Sequence, residues 1–180
     1  MASMLSRRDF TRLGAAGMLG VGISPPLEMA QGGTVPTAST PRPDVLKSEF
    51  LMDLILETGG GGSGSVGNRT IVSVNAGTFE GPKLKGKVLP PGADWPMRID
   101  DTLRILDVRT VLMTDDEQRI YMTYRGIIYT PPQGQGERYW RTTPAFETAS
   151  TKYMWLNHVI AVGVAFTIPQ RVCYRIFQIL

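Results

Sequence analysis

Two residue types that most often build catalytic centres are almost missing: the chain of 180 residues has one cysteine, Cys173, and one histidine, His158. A lone cysteine has no partner within its own chain, which excludes an intramolecular disulfide scaffold and a thiolate metal centre. One histidine likewise excludes a multi-histidine zinc or iron site in a single subunit. Charge is sparse, at 19% of residues, and the 19 Lys and Arg are interspersed with 16 Asp and Glu. The basic stripe with interleaved aromatics that nucleic acid requires is absent, so no nucleic-acid partner is expected. Glycine and proline are plentiful, at twenty and thirteen residues. A chain of this length supports one domain with a single core.

The N-terminus reads as an address. Ser6-Arg7-Arg8-Asp9-Phe10-Thr11-Arg12 precedes an uncharged run of eleven small and apolar residues, Leu13 to Ile23, and then Ser24-Pro25-Pro26. The adjacent arginines before Asp-Phe resemble a twin-arginine export signal, with Thr11 where an apolar residue is usual. A membrane anchor needs about 20 apolar residues, so no anchor is expected once the signal is removed. Residues 1–30 are therefore assigned to the signal and 31–44 to a flexible Thr-, Pro- and Ser-rich leader. The folded domain is expected over 45–180, in the periplasm or outside the cell.

From Asp44 onward the chain breaks into apolar-rich runs punctuated by Gly, Pro and Asp, with no sustained helical period. Strands are expected at Leu46–Glu57, Thr70–Asn75, Thr78–Leu89, Asp94–Ile99, Thr102–Thr114, Arg119–Ile128, Arg138–Thr148, Tyr153–Val164 and Arg171–Ile179. The domain is all-β, and closure of long strands without free edges favours an antiparallel β-barrel of about eight to ten strands, with a β-sandwich as the alternative. The Gly59-to-Ser65 stretch reads as a hairpin tip.

Alternation assigns faces. On Thr102–Thr114 one face carries Leu103, Ile105, Asp107, Arg109, Val111 and Met113; the other carries Leu106, Val108 and Leu112 with Arg104 and Thr110. Asp107 and Arg109 share a side, as do Tyr121, Thr123 and Arg125 on the next strand, and Tyr153, Trp155 and Asn157 further on. If the first two faces coincide within the barrel, they form an interior polar cluster suited to an oxygenated organic ligand, or an ion-pair lattice serving structure alone.

A set of motifs runs through this region: Gly77-Thr78-Phe79-Glu80-Gly81-Pro82, Gly92-Ala93-Asp94-Trp95, Leu106-Asp107-Val108-Arg109, Arg141-Thr142-Thr143-Pro144-Ala145-Phe146-Glu147-Thr148 and Tyr153-Met154-Trp155-Leu156-Asn157. In this order they resemble the family known as domain of unknown function 3237, DUF3237, also called UPF0311, from about Phe50 to the C-terminus. The resemblance implies a compact antiparallel barrel. It also implies an association with natural-product pathways, through cyclisation or rearrangement of polyketide-like intermediates. The segments around the poly-glycine stretch and Thr130 to Glu137 depart from the family pattern.

Within these motifs, polar side chains that strands do not need for propensity are the site candidates. Glu147 and Glu80 are expected to act as acid or base, because the neighbouring Arg109 would hold the Asp107 carboxyl low. Arg109, Tyr121 and Arg125 are expected to stabilise an oxyanion. Asp94, Trp95, Asp107, Arg141, Tyr153, Trp155 and Asn157 are expected to contact ligand. His158 lies on the opposite parity from Tyr153, Trp155 and Asn157, which argues against a Ser-His-Asp hydrolase. The function expected is that of an exported small-molecule-binding barrel, acting either as a cofactor-independent lyase, isomerase or cyclase or as a non-catalytic binder or assembly protein. No metal and no cofactor is expected, and the mixed strand faces predict a homodimer or larger homo-oligomer.

Overall fold

The computed structural model describes residues 45–59 and 64–180. The expected signal and leader lie outside the described residues, as do 60–63 of the glycine-rich stretch. The strands are β1 Ser48–Thr58, β2 Ser65–Val66, β3 Arg69–Thr70, β4 Val72–Glu80, β5 Lys85–Asp94, β6 Met97–Arg98, β7 Leu103–Thr114, β8 Arg119–Tyr129, β9 Tyr139–Glu147, β10 Ala161–Phe166 and β11 Val172–Ile179. Eight of them run β7-β5-β4-β1-β11-β10-β9-β8 and close through the β7–β8 pairing, every neighbour antiparallel. The chain thus forms the closed barrel, not the sandwich. The short β2, β3 and β6 form a strap beside β7.

The expected strand Thr78–Leu89 is broken by the turn Gly81–Leu84 into the end of β4 and the start of β5, the expected Asp94–Ile99 shortens to β6, and further boundaries move for local reasons. β4 runs unbroken through Ala76-Gly77, with a register shift between Val74 and Gly77. A Cβ at Gly77 would sit 2.3 Å from the Ile55 carbonyl oxygen, so only glycine lets β1 approach there. β5 continues through Pro90-Pro91-Gly92 because these residues occupy a register shift between Leu89 and Ala93, where the ladder to β7 asks for no proline N–H. The expected strand Tyr153–Val164 is replaced by a 3-10 turn, Met154–His158, followed by β10. Asn157 holds that turn, accepting from the Thr148 backbone N–H at 2.9 Å and donating to the Thr148 carbonyl at 3.0 Å.

The interior takes the parity of each strand that carries no charged residue between its ends. On β7 the buried residues are Leu106, Val108, Thr110, Leu112 and Thr114; on β8 they include Ile120, Met122 and Tyr124. Met52, Leu54, Leu56, Phe79, Val88, Phe146 and Ile176 meet them from the other strands. Fully burying each such side chain is worth about 1.5–3 kcal/mol, whereas turning Asp107, Arg109 and Arg125 inward would strip charges of water. The apolar face therefore goes inside, and the polar face expected in the lumen lies on the convex exterior.

The two ends of the barrel differ. At one end Leu84, Tyr153 and Leu156 are buried in the core, and the segment from Thr148 to Ile160 plugs the opening. At the other end β5 finishes at Asp94, β9 begins at Tyr139 and β11 at Val172, with half-buried Asp94 and Trp140 beneath the connecting segments. This second end is the mouth.

Candidate functional site

Under the mouth, five strands aim polar side chains inward. Asp94, Val108 and Tyr124 are register partners across β5, β7 and β8, so their side chains stand in one inward-facing row. Tyr174 enters from β11, its ring edge-on to Tyr124 at 5.4 Å and to Trp140 of β9 at 5.6 Å between centroids. Thr110 and Thr142 complete the set, each 2% exposed or less.

Four polar atoms of this set are buried without a hydrogen-bond partner: Tyr174 Oη, Trp140 Nε1, Thr110 Oγ1 and Thr142 Oγ1. Tyr124 and Trp140 lie close enough to perturb the Tyr174 hydroxyl, yet neither makes a hydrogen bond of normal geometry with it. Leaving a buried donor unsatisfied costs about 1–3 kcal/mol, and folds rarely tolerate several in one place without a functional reason. Thr142 is further framed by its cross-strand partners Gly126 and Gly163, at which an added Cβ would fall 2.7 Å from Thr142 Cγ2 and 2.3 Å from Thr142 Oγ1.

The carboxyl of this cluster is tuned. Burial pushes Asp94 up to about 6, opposed by the Asp107 backbone N–H, which donates to Asp94 Oδ1 at 3.1 Å, and reinforced by the nearby Asp107 charge. Burial also pushes the Tyr174 and Tyr124 hydroxyls above the usual tyrosine range, so both stay protonated at neutral pH. The arrangement places one carboxyl able to gain or lose a proton near neutrality beside two neutral hydroxyl donors and an indole N–H, inside a low-dielectric wall. Among the described residues no group of three His, Cys, Asp or Glu side chains is placed to hold a metal ion.

Of the residues singled out from the sequence, Asp94 alone belongs to this cluster. Asp107 and Arg109 form an ion pair at 3.1 Å, Arg125 is the register partner of Asp107, and Arg109 lies 5.5 Å from the Trp95 ring centroid. They do meet as a polar cluster, but outside the barrel, because their parity is opposite to the buried row. Tyr121 and Glu147 are exposed cross-strand partners on that same outer surface, and Glu80 is exposed at the end of β4. Arg141 also points outward, 4.8 Å from the Tyr139 ring, and with Arg125, Ile105, Ile127, Tyr139 and Val162 lines an open outer depression of about 550 Å³.

Tyr153, Trp155 and Asn157 lie at the plugged end. Tyr153 donates to Asp116 at 2.8 Å beside Thr114 and Lys152, and Trp155 packs against the core with Lys83 at 5.5 Å. Their positions are those of a stopper, far along the strands from the mouth. Tyr124, Tyr174, Trp140, Thr110 and Thr142 went unrecognised in the sequence. The available signal was the parity of each strand that carries no charge between its ends, on which these polar groups stand among apolar residues.

The family model described as "Protein of unknown function (DUF3237)" matches residues 46–179. A UPF0311 protein of Clostridium acetobutylicum is 33% identical over 125 residues, covering 63% of this chain and 79% of that one. A β-barrel-like protein from Acinetobacter baumannii superposes with a TM-score of 0.67 at 32% identity, over 77% of this chain and 99% of the other. An enzyme from Penicillium herquei shares the fold with a TM-score of 0.62 at 24% identity, over 77% of this chain and 98% of its own. Closure of eight antiparallel strands and a family match over nearly the whole described domain agree: the chain belongs to the DUF3237 family.

Proposed function

We propose that this protein binds a small oxygenated organic molecule in the mouth of the barrel and transfers a proton to or from it through Asp94. The observation that carries the reading is the half-buried Asp94 on the same inward wall as buried, unpartnered polar atoms of Tyr174, Trp140, Thr110 and Thr142. A ligand carbonyl or hydroxyl satisfies those donors, and the surrounding rings supply apolar wall. Asp94 acts as the acid or base next to a carbonyl, while the Tyr174 and Tyr124 hydroxyls and the Trp140 N–H hold the oxygen on which charge develops. Enolisation, isomerisation, dehydration and cyclisation all fit this constellation and need no cofactor. Asp94 replaces Glu147 and Glu80 in the role expected from the sequence.

Export through the twin-arginine-like signal, residence in the periplasm and assembly into a homodimer belong to the same proposal. Precursor processing in cell fractions and light scattering test them. The site itself is tested by thermal-shift screening of phenolic, lactone and enone compounds, followed by solvent-deuterium exchange into each bound compound. Ligands are expected to raise the Tm of the wild type and to bind about tenfold more weakly to Tyr174→Phe. Exchange is expected to stop in Asp94→Asn and to persist in Glu147→Gln and Glu80→Gln. Binding without exchange in the wild type would support a non-catalytic carrier instead.

A further inference from the structure

Resting on the reading of the mouth as a ligand site, we infer that Arg138 recognises an anionic oxygen on the ligand, so that the site takes planar, unsaturated organic acids. Arg138 immediately precedes β9, and its guanidinium carbon lies 4.4 Å from the centroid of the Trp140 ring. That is well inside the range at which an indole face holds a cation. Trp140 in turn is edge-on to Tyr174, and Tyr174 to Tyr124, in a chain of rings leading from the lip to the row of Asp94.

Among the other arginines around this end, Arg104 at the start of β7 also makes no ion pair among the described residues, whereas three are occupied. Arg171 pairs with Glu57, Arg98 pairs with Asp101, and Arg69 donates to the Trp95 carbonyl oxygen at 2.7 Å. Arg138 makes no ion pair among the described residues. Its charge reaches inward, where it acts on the Tyr174 hydroxyl and eases that group's ionisation against the effect of burial. A guanidinium 4.4 Å from an indole ring, without an ion pair and on the same side of the barrel as a buried hydroxyl and indole N–H that also lack partners, is suited to receive a planar acid end-on.

Charge then varies with depth: cationic side chains at the lip and the titratable Asp94 carboxyl below them. A ligand carboxylate or acidic enol sits on Arg138, its unsaturated body lies along the Trp140 and Tyr174 rings, and its reacting carbon or oxygen reaches Asp94. The charge on Arg138 also discourages the reverse orientation, which would set the ligand anion against the ionised Asp94.

The test follows the Trp140 indole N–H resonance of the isotope-labelled protein, identified with Trp140→Phe, during titration with 2-naphthoate, its uncharged amide 2-naphthamide, and inorganic phosphate. The wild type is expected to bind naphthoate at least tenfold more tightly than naphthamide and to give no saturable response to phosphate. Arg138→Ala is expected to bring the two organic affinities within about twofold while leaving that for naphthamide unchanged, and Arg138→Lys to keep part of the preference. Equal affinities in the wild type, a preference that survives Arg138→Ala, or saturation by phosphate at the same concentration would overturn the inference alone, provided naphthamide still binds. Failure of both naphthyl probes to shift Trp140 at millimolar concentration would overturn the mouth site together with it.

Discussion

Asp94 and Asp107 are joined through the barrel wall: the backbone N–H of Asp107 donates to Asp94 Oδ1 at 3.1 Å, while the Asp107 side chain turns outward to Arg109 at 3.1 Å. One carboxylate thus faces the interior and the other the solvent, and the outer one raises the affinity of the inner one for its proton. Replacing Asp107 by Asn removes that charge and keeps the backbone donor. The Asp94 midpoint is expected to fall in Asp107→Asn and to stay unchanged in Glu147→Gln, as read from carbon-13 NMR of the Asp94 carboxyl.

Asp94 also shapes the pH dependence of stability. Its carboxyl ionises near 6 in the folded state, against 3.8 for an ordinary aspartate. The folded chain therefore holds this proton more tightly, so Asp94's contribution to stability is fully present below pH 3.8 and is lost as pH rises through 6. Allowing for partial solvent access, the loss is on the order of 1–2 kcal/mol. Asp94→Asn is expected to match the wild type at pH 4 and to exceed its Tm at pH 8, as followed by thermal denaturation across that range.

The two buried tyrosines at opposite ends separate function from structure. Tyr174 has no hydrogen-bond partner, so Tyr174→Phe is expected to leave stability unchanged or raise it by about 1 kcal/mol while weakening ligand binding. Tyr153 donates to Asp116 in the stopper, so Tyr153→Phe is expected to lower Tm by roughly 3–6 °C and leave ligand affinity intact. Thermal denaturation and ligand titration of the two variants side by side check the contrast.

Gly163 bears on the interior through Thr142. A Cβ there meets Thr142 Oγ1 at 2.3 Å and its next neighbours only at 3.7 Å, so the clash is with one side chain. Gly163→Ala is expected to destabilise the barrel by about 1–3 kcal/mol. Thr142→Ala in the same chain is expected to recover much of that loss, a non-additivity that a double-mutant cycle measures.

The alternation on β7 and β8 makes those strands legible, and nine expected strands that must avoid free edges favour the closed barrel. The side facing inward was misread because Asp107, Arg109, Tyr121 and Arg125 drew attention as chemistry, although hydration of those charges is what fixes that face outside. The stopper was misread for a related reason. Tyr153-Met154-Trp155-Leu156-Asn157 alternates as a strand does, but the Asn157 side chain bonds the Thr148 backbone and folds the segment into a turn, a tertiary contact that alternation does not encode. Asp94 is legible from its motif, Gly92-Ala93-Asp94-Trp95, although the sequence places the start of a strand there and the structure places the end of β5. Tyr124 and Tyr174 were hidden among the apolar residues of their rows, and only closure of the sheet brings β8 and β11 together across the lumen.

Titration of the Asp94 carboxyl by carbon-13 NMR between pH 3 and pH 8 tests the central claim most directly. A midpoint near 6 that moves when a mouth ligand binds is the result predicted here. A midpoint near 3.8, insensitive to any ligand, would mean a solvated carboxylate and a mouth without acid–base chemistry.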